Sequence, residues 1–497
     1  MNDKDKQTIT QKTVFGTAWV FAEKMLAQAA SFVVSIFLSR LLFPEDYGIV
    51  ALASIFLTIS SVFIDCGFGA ALVQKKNPEK VDYSTAFSAS LLISVVLFIL
   101  LICLARPIAL YFGTKYNTDI IVNVIRLMAL KLPIGAYMSV QNAYIQKKFM
   151  FKTAFWGSLF GTVTSGIFGV ISAYIGFGAY SLVIQTLSDS IIDAVLITIA
   201  IKWLPGIQIS LASFRALFGY GSKFFLTTLV DKCNNSLTDF VIGKRYTAAD
   251  LALYNKGKQL PYLVWVNIEG SLSKALFPAM SSLQDHKEEL KNAIRKSIQV
   301  SSYIIFPALI GLMCVGDTLI VALFTEKWRG CVPYIIMMCV AYLTTSIRVP
   351  ILQAINAVGR SDIYLKLDII KQVVGVLSLA VSYRYGPFWI CFSYVCSSFA
   401  GLVIIFFPCK KIFNLKITEV VADMLPTVCI SIIMGIIVII PQLIIQSKII
   451  LLAIQIALGV STYILLSIIS NNKAYIYLLA IVNNTLLKAQ NGNNKQI

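Results

Sequence analysis

Ala86-Phe-Ser-Ala-Ser-Leu-Leu-Ile-Ser-Val-Val-Leu-Phe-Ile-Leu-Leu-Ile-Cys-Leu-Ala105 runs from residue 86 to residue 105 without a single charge, and Arg106 follows it at once. A helix needs about 20 mostly apolar residues to cross the hydrocarbon layer, because water is absent there and only a helix closes all its own backbone hydrogen bonds. The same test, applied outward along the chain, finds further spans at 15–38, 48–70, 120–140, 154–175, 179–201, 221–243, 257–280, 298–323, 332–352, 363–383, 386–407, 425–444 and 448–470. The expected fold is an all-α polytopic membrane protein of about 14 transmembrane helices. Composition agrees: 58% of the 497 residues are hydrophobic and 13% charged, against about 25% charged in a soluble domain. The start, Met1-Asn-Asp-Lys-Asp-Lys6, leads into a full-length span without a small-residue cleavage site, and reads as a retained helix. Residues 471–497 are expected to form a cytoplasmic polar tail, in which Ala489-Gln-Asn-Gly-Asn-Asn494 reads as disordered.

Net charge is +18, yet the basic residues sit in short gaps between apolar runs, so they orient the chain in a membrane and do not form a nucleic-acid-binding face. Of the 42 Lys and Arg, 24 fall in the segments on the side of the N-terminus, 11 on the other side and seven within spans. Both termini are therefore expected in the cytoplasm. The basic gap from Lys244 to Lys258 dissents from this assignment. The ten cysteines lie scattered in apolar runs, the only histidine is His286, and no phosphate loop is present. Metal, triad and ATPase chemistry lack their residues, so no cofactor and no enzyme activity are expected.

Two halves of the chain correspond at an offset of 205 residues: Gly16 with Gly221, Trp19 with Phe224, Arg40 with Arg245, Glu45 with Asp250, and Ala70 with Ala275. The offset spans an even number of helices, which predicts parallel lobes about a central cavity. The expected organisation is an N-terminal lobe over 1–203, a C-terminal lobe over 204–410, two additional helices over 411–470 and the tail.

Charges inside spans cost about 2.5–3.5 kcal/mol or more each at the helix centre, so they mark function by default. The basic ones are Lys24, Arg126, Lys131, Lys232, Lys274, Arg348 and Lys371; the acidic ones are Glu23, Asp189, Asp193, Asp231, Asp239, Glu269 and Asp368. Lys24, Gln28, Ser31 and Ser35 share one helix face, as do Thr228, Asp231, Asn235 and Thr238. The structural alternatives are an Asp368–Lys371 pair one helical turn apart, and Lys274 and Arg348 reaching out to headgroups. Gly157, Gly161, Ser165, Gly169 and Ala173 recur every four residues, a face for close helix contact. Pro133, Pro261, Pro307 and Pro350 interrupt spans and predict kinks.

Gly16-Thr-Ala-Trp19, Ser39-Arg-Leu-Leu-Phe-Pro44-Glu-Asp46-Tyr-Gly48, Asp65-Cys-Gly67-Phe-Gly-Ala-Ala-Leu-Val-Gln-Lys75 and Leu352-Gln-Ala-Ile-Asn-Ala-Val-Gly359-Arg360 resemble the bacterial polysaccharide flippases of O-antigen and teichuronic-acid type. The resemblance implies the multidrug/oligosaccharidyl-lipid/polysaccharide exporter superfamily: two six-helix lobes around a cavity, plus two helices. It implies a transporter in the bacterial inner membrane that turns undecaprenyl-pyrophosphate-linked oligosaccharide repeat units to the outer leaflet by alternating access. Its partners would be the lipid-linked oligosaccharide, membrane lipids and a polysaccharide polymerase. Cationic cavity residues would hold the pyrophosphate, with Lys24, Lys131 and Lys232 foremost, then Arg126, Lys274 and Arg348. Asp231, Asp239 and Asp368 would be counterparts of a coupling-cation site. Two rivals are a drug or cation antiporter of the same superfamily, which would favour acids over the first lobe's lysines, and a polysaccharide polymerase, which would carry a long external loop.

Overall fold

A computed structural model describes residues 25–113 and 117–480, the side chains of residues 153, 154 and 275 excepted. Among the described residues every element is helical and no strand occurs. The helices are α1 (Met25–Leu41), α2 (Pro44–Asp65), α3 (Phe68–Gln74), α4 (Lys80–Phe112), α5 (Thr118–Ala129), α6 (Lys131–Lys148), α7 (Phe151–Ile175), α8 (Ala179–Ile201) and α9 (Leu211–Arg245). They continue as α10 (Ala248–Ser281), α11 (Lys287–Phe324), α12 (Val332–Leu343), α13 (Thr345–Ala357), α14 (Ser361–Ser382), α15 (Pro387–Phe413), α16 (Ile417–Ile439), α17 (Lys448–Ile469) and a last helix, α18, over 473–480. Ten stretches among the described residues are long and apolar enough to cross a membrane. The all-α polytopic membrane reading therefore holds. The long helices α9, α10 and α14 fall outside that group of ten; they carry half of the charges that the sequence reading singled out.

By packing, the chain divides into two compact units, Met1–Ala252 and Leu253–Ile497. In the first unit α9 lies against α2, α3 and α4. Local chemistry dictates this. Cys66 and Gly67 both adopt left-handed backbone, breaking α2 from α3. A Cβ on Gly67 would meet the Gly221 carbonyl oxygen at 2.2 Å, and one on Gly221 would lie 2.9 Å from the Gly67 oxygen. Only two glycines can cross so closely. The segment ahead of α9 is strapped to the first turns of α4: the backbone N–H groups of Gly206, Gln208 and Ser210 donate to Ser84 Oγ (3.2 Å), Ser88 Oγ (3.1 Å) and Thr85 Oγ1 (3.1 Å). Those hydroxyls satisfy backbone donors that no helix serves. The entries to α2 and α10 match in kind. Asp46 accepts from the Phe43 N–H at 3.1 Å, and Asp250 accepts from the Thr247 N–H at 3.0 Å. The capping acid of α2 is thus Asp46, one residue past the Glu45 of the 205-residue correspondence.

The tightest helix pair in the first unit is α7 with α8. The four-residue stripe of α7 meets α8 in register: Gly157 against Asp193 and Ile197, Gly161 against Asp189 and Asp193, Gly169 against Gln185. Small residues allow the backbones to approach, and van der Waals packing then replaces the hydrophobic effect, which hydrocarbon cannot supply.

In the second unit, α11 carries a polar stripe at positions 291, 295, 299 and 303. Lys291 Nζ bonds Glu419 at 2.9 Å, Arg295 grips Asp423 through two contacts at 2.6 and 2.9 Å, and Gln299 Nε2 donates to Asp423 at 2.8 Å, all on α16. One turn on, the Tyr303 hydroxyl donates to Ser467 Oγ at 3.0 Å, and the Tyr463 hydroxyl donates to the Tyr303 carbonyl at 2.7 Å. The stripe thereby fastens both α16 and α17.

Two outcomes follow for stability. Gly67→Ala places a side chain on left-handed backbone against another main chain, at a combined cost of about 2–4 kcal/mol, and the yield of monodisperse protein in detergent should fall. Asp423→Ala strands Arg295 and Gln299, costing about 2 kcal/mol, less than the ~3–5 of a fully buried pair. The thermal midpoint in detergent should drop by a few degrees.

Candidate functional site

Three polar sets lie within apolar helices. The first joins α6, α7 and α8. Leu130 interrupts the run from α5 to α6, so Lys131 opens α6 at a helix start, half-buried, where it acts electrostatically on Asp189 of α8. Ser165 Oγ of α7 donates to the same carboxylate at 3.3 Å. The glycine stripe of α7 has a second use here: a Cβ on Gly157 would come within 3.1 Å of Asp193 Oδ1. Without side chains at these positions, α7 leaves room for two acids one turn apart on α8.

A second set forms a crevice of about 150 Å³ lined by Ser61, Val62, Asp65 and Gly67 at the α2–α3 break and by Phe224, Phe225, Thr228 and Lys232 from α9. The crossing of Gly67 and Gly221 brings these elements together. Ser139 Oγ of α6 donates to Asp65 Oδ1 at 2.5 Å, which fixes the carboxylate at the crevice wall. Lys232 and Thr228 stand one turn apart on the same face of α9. The crevice thus offers one ammonium, one carboxylate and hydroxyls against two aromatic rings. Such a lining sets a few polar groups in a mostly apolar wall, which suits a ligand that joins a charged or hydroxylated group to an apolar part.

The third set belongs to the second unit. Helix α12 breaks from α13 at Thr344, where three successive hydroxyls donate to main-chain carbonyls: Thr344 to Ala341 (2.7 Å), Thr345 to Tyr342 (2.5 Å) and Ser346 to Leu343 (2.9 Å). Pro350 removes a further donor from α13. Arg348 sits between these interruptions and reaches Asp368 of α14, Nη2 to Oδ1 3.1 Å. Gln372, one turn on, donates to the other oxygen of Asp368 at 3.0 Å. Lys371 interacts with Arg348, Asp368 and Glu269 of α10, and its stem packs over Gly401 of α15.

All but one of the expected site residues lie among the described residues. Lys24 lies outside the described residues. Lys131 pairs with Asp189, and Lys232 lines the crevice. Arg126 is exposed on α5, and Lys274 is exposed on α10. Arg348 and Asp368, expected as a pyrophosphate ligand and a cation-site acid, are bonded to each other, and neither structural alternative, Asp368 with Lys371 or Arg348 reaching for headgroups, gave that partner. Asp231 is exposed on α9, and Asp239 is half-buried further along the same helix. Reading from sequence missed Asp65 and Ser139 as partners, since 74 residues separate them. It also missed the aromatic residues around the third set. A signal existed for those: Tyr262, Trp265 and Glu269 fall at i, i+3 and i+7, one face of α10.

Comparison with known proteins bears on the whole arrangement. Residues 37–333 match the family model described as polysaccharide biosynthesis protein. The lipopolysaccharide biosynthesis protein WzxC of Escherichia coli (strain K12) is 21% identical over 376 residues, which cover 75% of this chain and 76% of that protein. The teichuronic acid biosynthesis protein TuaB of Bacillus subtilis (strain 168) is 22% identical over 381 residues, 76% of this chain and 78% of that one. Among solved structures, the lipid II flippase MurJ in an inward closed conformation superposes with a TM-score of 0.72 at 16% identity, covering 92% of this chain and 98% of that chain. At that identity the likeness shows a shared fold. The family match spans more than half of the sequence and contains the α2–α3 break, the α7–α8 pair and the crevice. This chain belongs to the polysaccharide biosynthesis protein family.

Proposed function

We propose that this chain is a flippase that carries undecaprenyl-pyrophosphate-linked oligosaccharide repeat units across the bacterial inner membrane for surface polysaccharide assembly, making and breaking no bond. One observation carries the reading: a member of a polysaccharide biosynthesis family keeps lysines inside its apolar helices, with Lys131 and Lys232 each set beside polar partners. The physical task is to move a large hydrated headgroup through hydrocarbon while its lipid tail stays behind. Ammonium groups offset the pyrophosphate charge, and hydroxyls and carboxylates replace the water stripped from the sugars.

In this reading Lys24, Lys131 and Lys232 take the pyrophosphate, with Arg126 and Lys274 nearer the ends of the path. The chain works as lobes 1–203 and 204–410, joined by helices over 411–470 and a cytoplasmic tail, with both termini in the cytoplasm. Alternating exposure of the lobes moves the headgroup. Asp231 and Asp239 are our acids for a coupling cation. Asp368 already holds Arg348 at 3.1 Å and Gln372 at 3.0 Å, which favours a fixed counter-ion over a mobile one. A polysaccharide polymerase on the outer face is the partner that would consume the product.

In cells that make the polymer, Lys24→Ala and Lys232→Ala should each cut surface polysaccharide at least about tenfold, with the protein still inserted. Lys232→Arg should retain most export. Undecaprenyl-linked repeat units should collect on the cytoplasmic face. Finished polymer collecting inside, or a change in drug sensitivity alone, would argue against the assignment. Lys131→Ala leaves Asp189 without its counter-charge and should cost on the order of 2 kcal/mol, read as a lower thermal midpoint; Asp189→Asn in that background should restore part of it.

A further inference from the structure

The third polar set differs from the other two in holding a guanidinium and an amide, Arg348 and Gln372, beside its ammonium and carboxylates. Two bases, Arg348 and Lys371, stand with two acids, Glu269 and Asp368, so their formal charges cancel. A balanced cluster has little net attraction for a pyrophosphate or for a metal cation. What it offers is a dense array of fixed donors and acceptors: the Arg348 fork, the Lys371 ammonium, the Gln372 amide and two carboxylates.

Aromatic plates stand beside it. Trp265 stacks on Tyr342 with ring centroids 5.0 Å apart and planes 6° from parallel. Tyr262 tilts against Trp265 at 5.4 Å, and Tyr394 meets Tyr342 edge-on at 6.5 Å. Arg348 and Glu269 both act electrostatically on Tyr394, which ties the plates to the charges. Tyr262 is the outermost ring and 42% exposed. Within this wall the indole N–H of Trp265 is buried, with no hydrogen-bond acceptor among the described residues. An unserved buried donor costs about 1–3 kcal/mol, and a ligand oxygen would recover that cost.

We propose that Tyr262, Trp265, Glu269, Arg348, Asp368 and Lys371 form a saccharide subsite in the second unit, which takes an uncharged sugar ring of the lipid-linked oligosaccharide. Sugar rings present C–H faces that stack on aromatic planes and hydroxyl edges that need paired donors and acceptors; plates and a charge-neutral polar cluster supply both. Pre-paired charges also fit the setting. When no sugar is bound, Arg348 and Asp368 satisfy each other, so the site does not strand an ion in the bilayer. The inference rests on the flippase reading and refines it: lysines of the first unit for the phosphates, this cluster for the sugar.

The test uses the full chain in cells that make the polymer, with p-benzoylphenylalanine placed at Tyr262 and, as a control, at Ile369, an exposed residue of α14. Irradiation should yield adducts at position 262 that carry periodate-oxidisable sugar mass, while position 369 yields lipid alone. Glu269→Gln and Trp265→Phe should each reduce the sugar adduct at least about fivefold at unchanged protein level, whereas Tyr342→Phe, which keeps the plate, should not. Adducts of lipid or protein alone at position 262, in cells that still export polymer, overturn the subsite and leave the flippase reading intact. Sugar adducts undiminished by Glu269→Gln and Trp265→Phe overturn it too. A strain that lacks the protein, exports normally and accumulates no lipid-linked units overturns the flippase reading itself.

Discussion

Hydrocarbon neither hydrates a charge nor accepts a hydrogen bond, and this constraint organises the described structure. Each ionisable group drawn into an apolar helix must arrive with its partner or stay where water reaches it. The fold meets the demand by interrupting its helices. The break at Leu130 sets Lys131 facing Asp189, the break at Cys66–Gly67 sets Asp65 beside Ser139, and the break at Thr344 sets Arg348 on Asp368. At Thr344 hydroxyls donate to main-chain carbonyls, at Cys66–Gly67 two left-handed residues end the helix, and at Leu130 the backbone N–H bonds the Leu127 carbonyl.

These interruptions explain why the two kinds of polar set differ. Around Lys131 the link to Asp189 is electrostatic, and Lys232 shares its crevice with Asp65. Around Arg348 the partners are locked within hydrogen-bonding distance, and the aromatic rings close one side. An anionic lipid head that bears neutral sugars presents both chemistries at once, and a carrier that must release it gains from dividing the grip between two modest sites.

Apolar run length was legible for the ten stretches that qualify as spans, because the helix-spanning requirement is local and leaves a run of about 20 residues each time. The charges were legible for the same reason: Lys131, Lys232, Glu269 and Asp368 stand out against apolar neighbours. Their partners were not. Ser139 and Asp65 lie 74 residues apart, and Arg348 reaches Asp368 across the α13–α14 turn, where adjacent Lys371 seemed the nearer mate. Spacing within one helix shows which residues share a face; it is silent on which helix that face meets. The α7 stripe of small residues was correctly read as a contact face, yet only the structure shows that it makes room for Asp189 and Asp193.

The polar stripe of α11 bears on how the protein is made. Lys291 and Arg295 find their acids on α16, 128 residues later in the chain. At a synthesis rate of roughly 5–20 residues per second, those cations wait about 6–26 s before Glu419 and Asp423 leave the ribosome. During that interval the first turns of α11 have a resting place at the headgroup layer, where long basic side chains extend to water. The ion pairs that hold the first turns of α11 thus form only after α16 has been made.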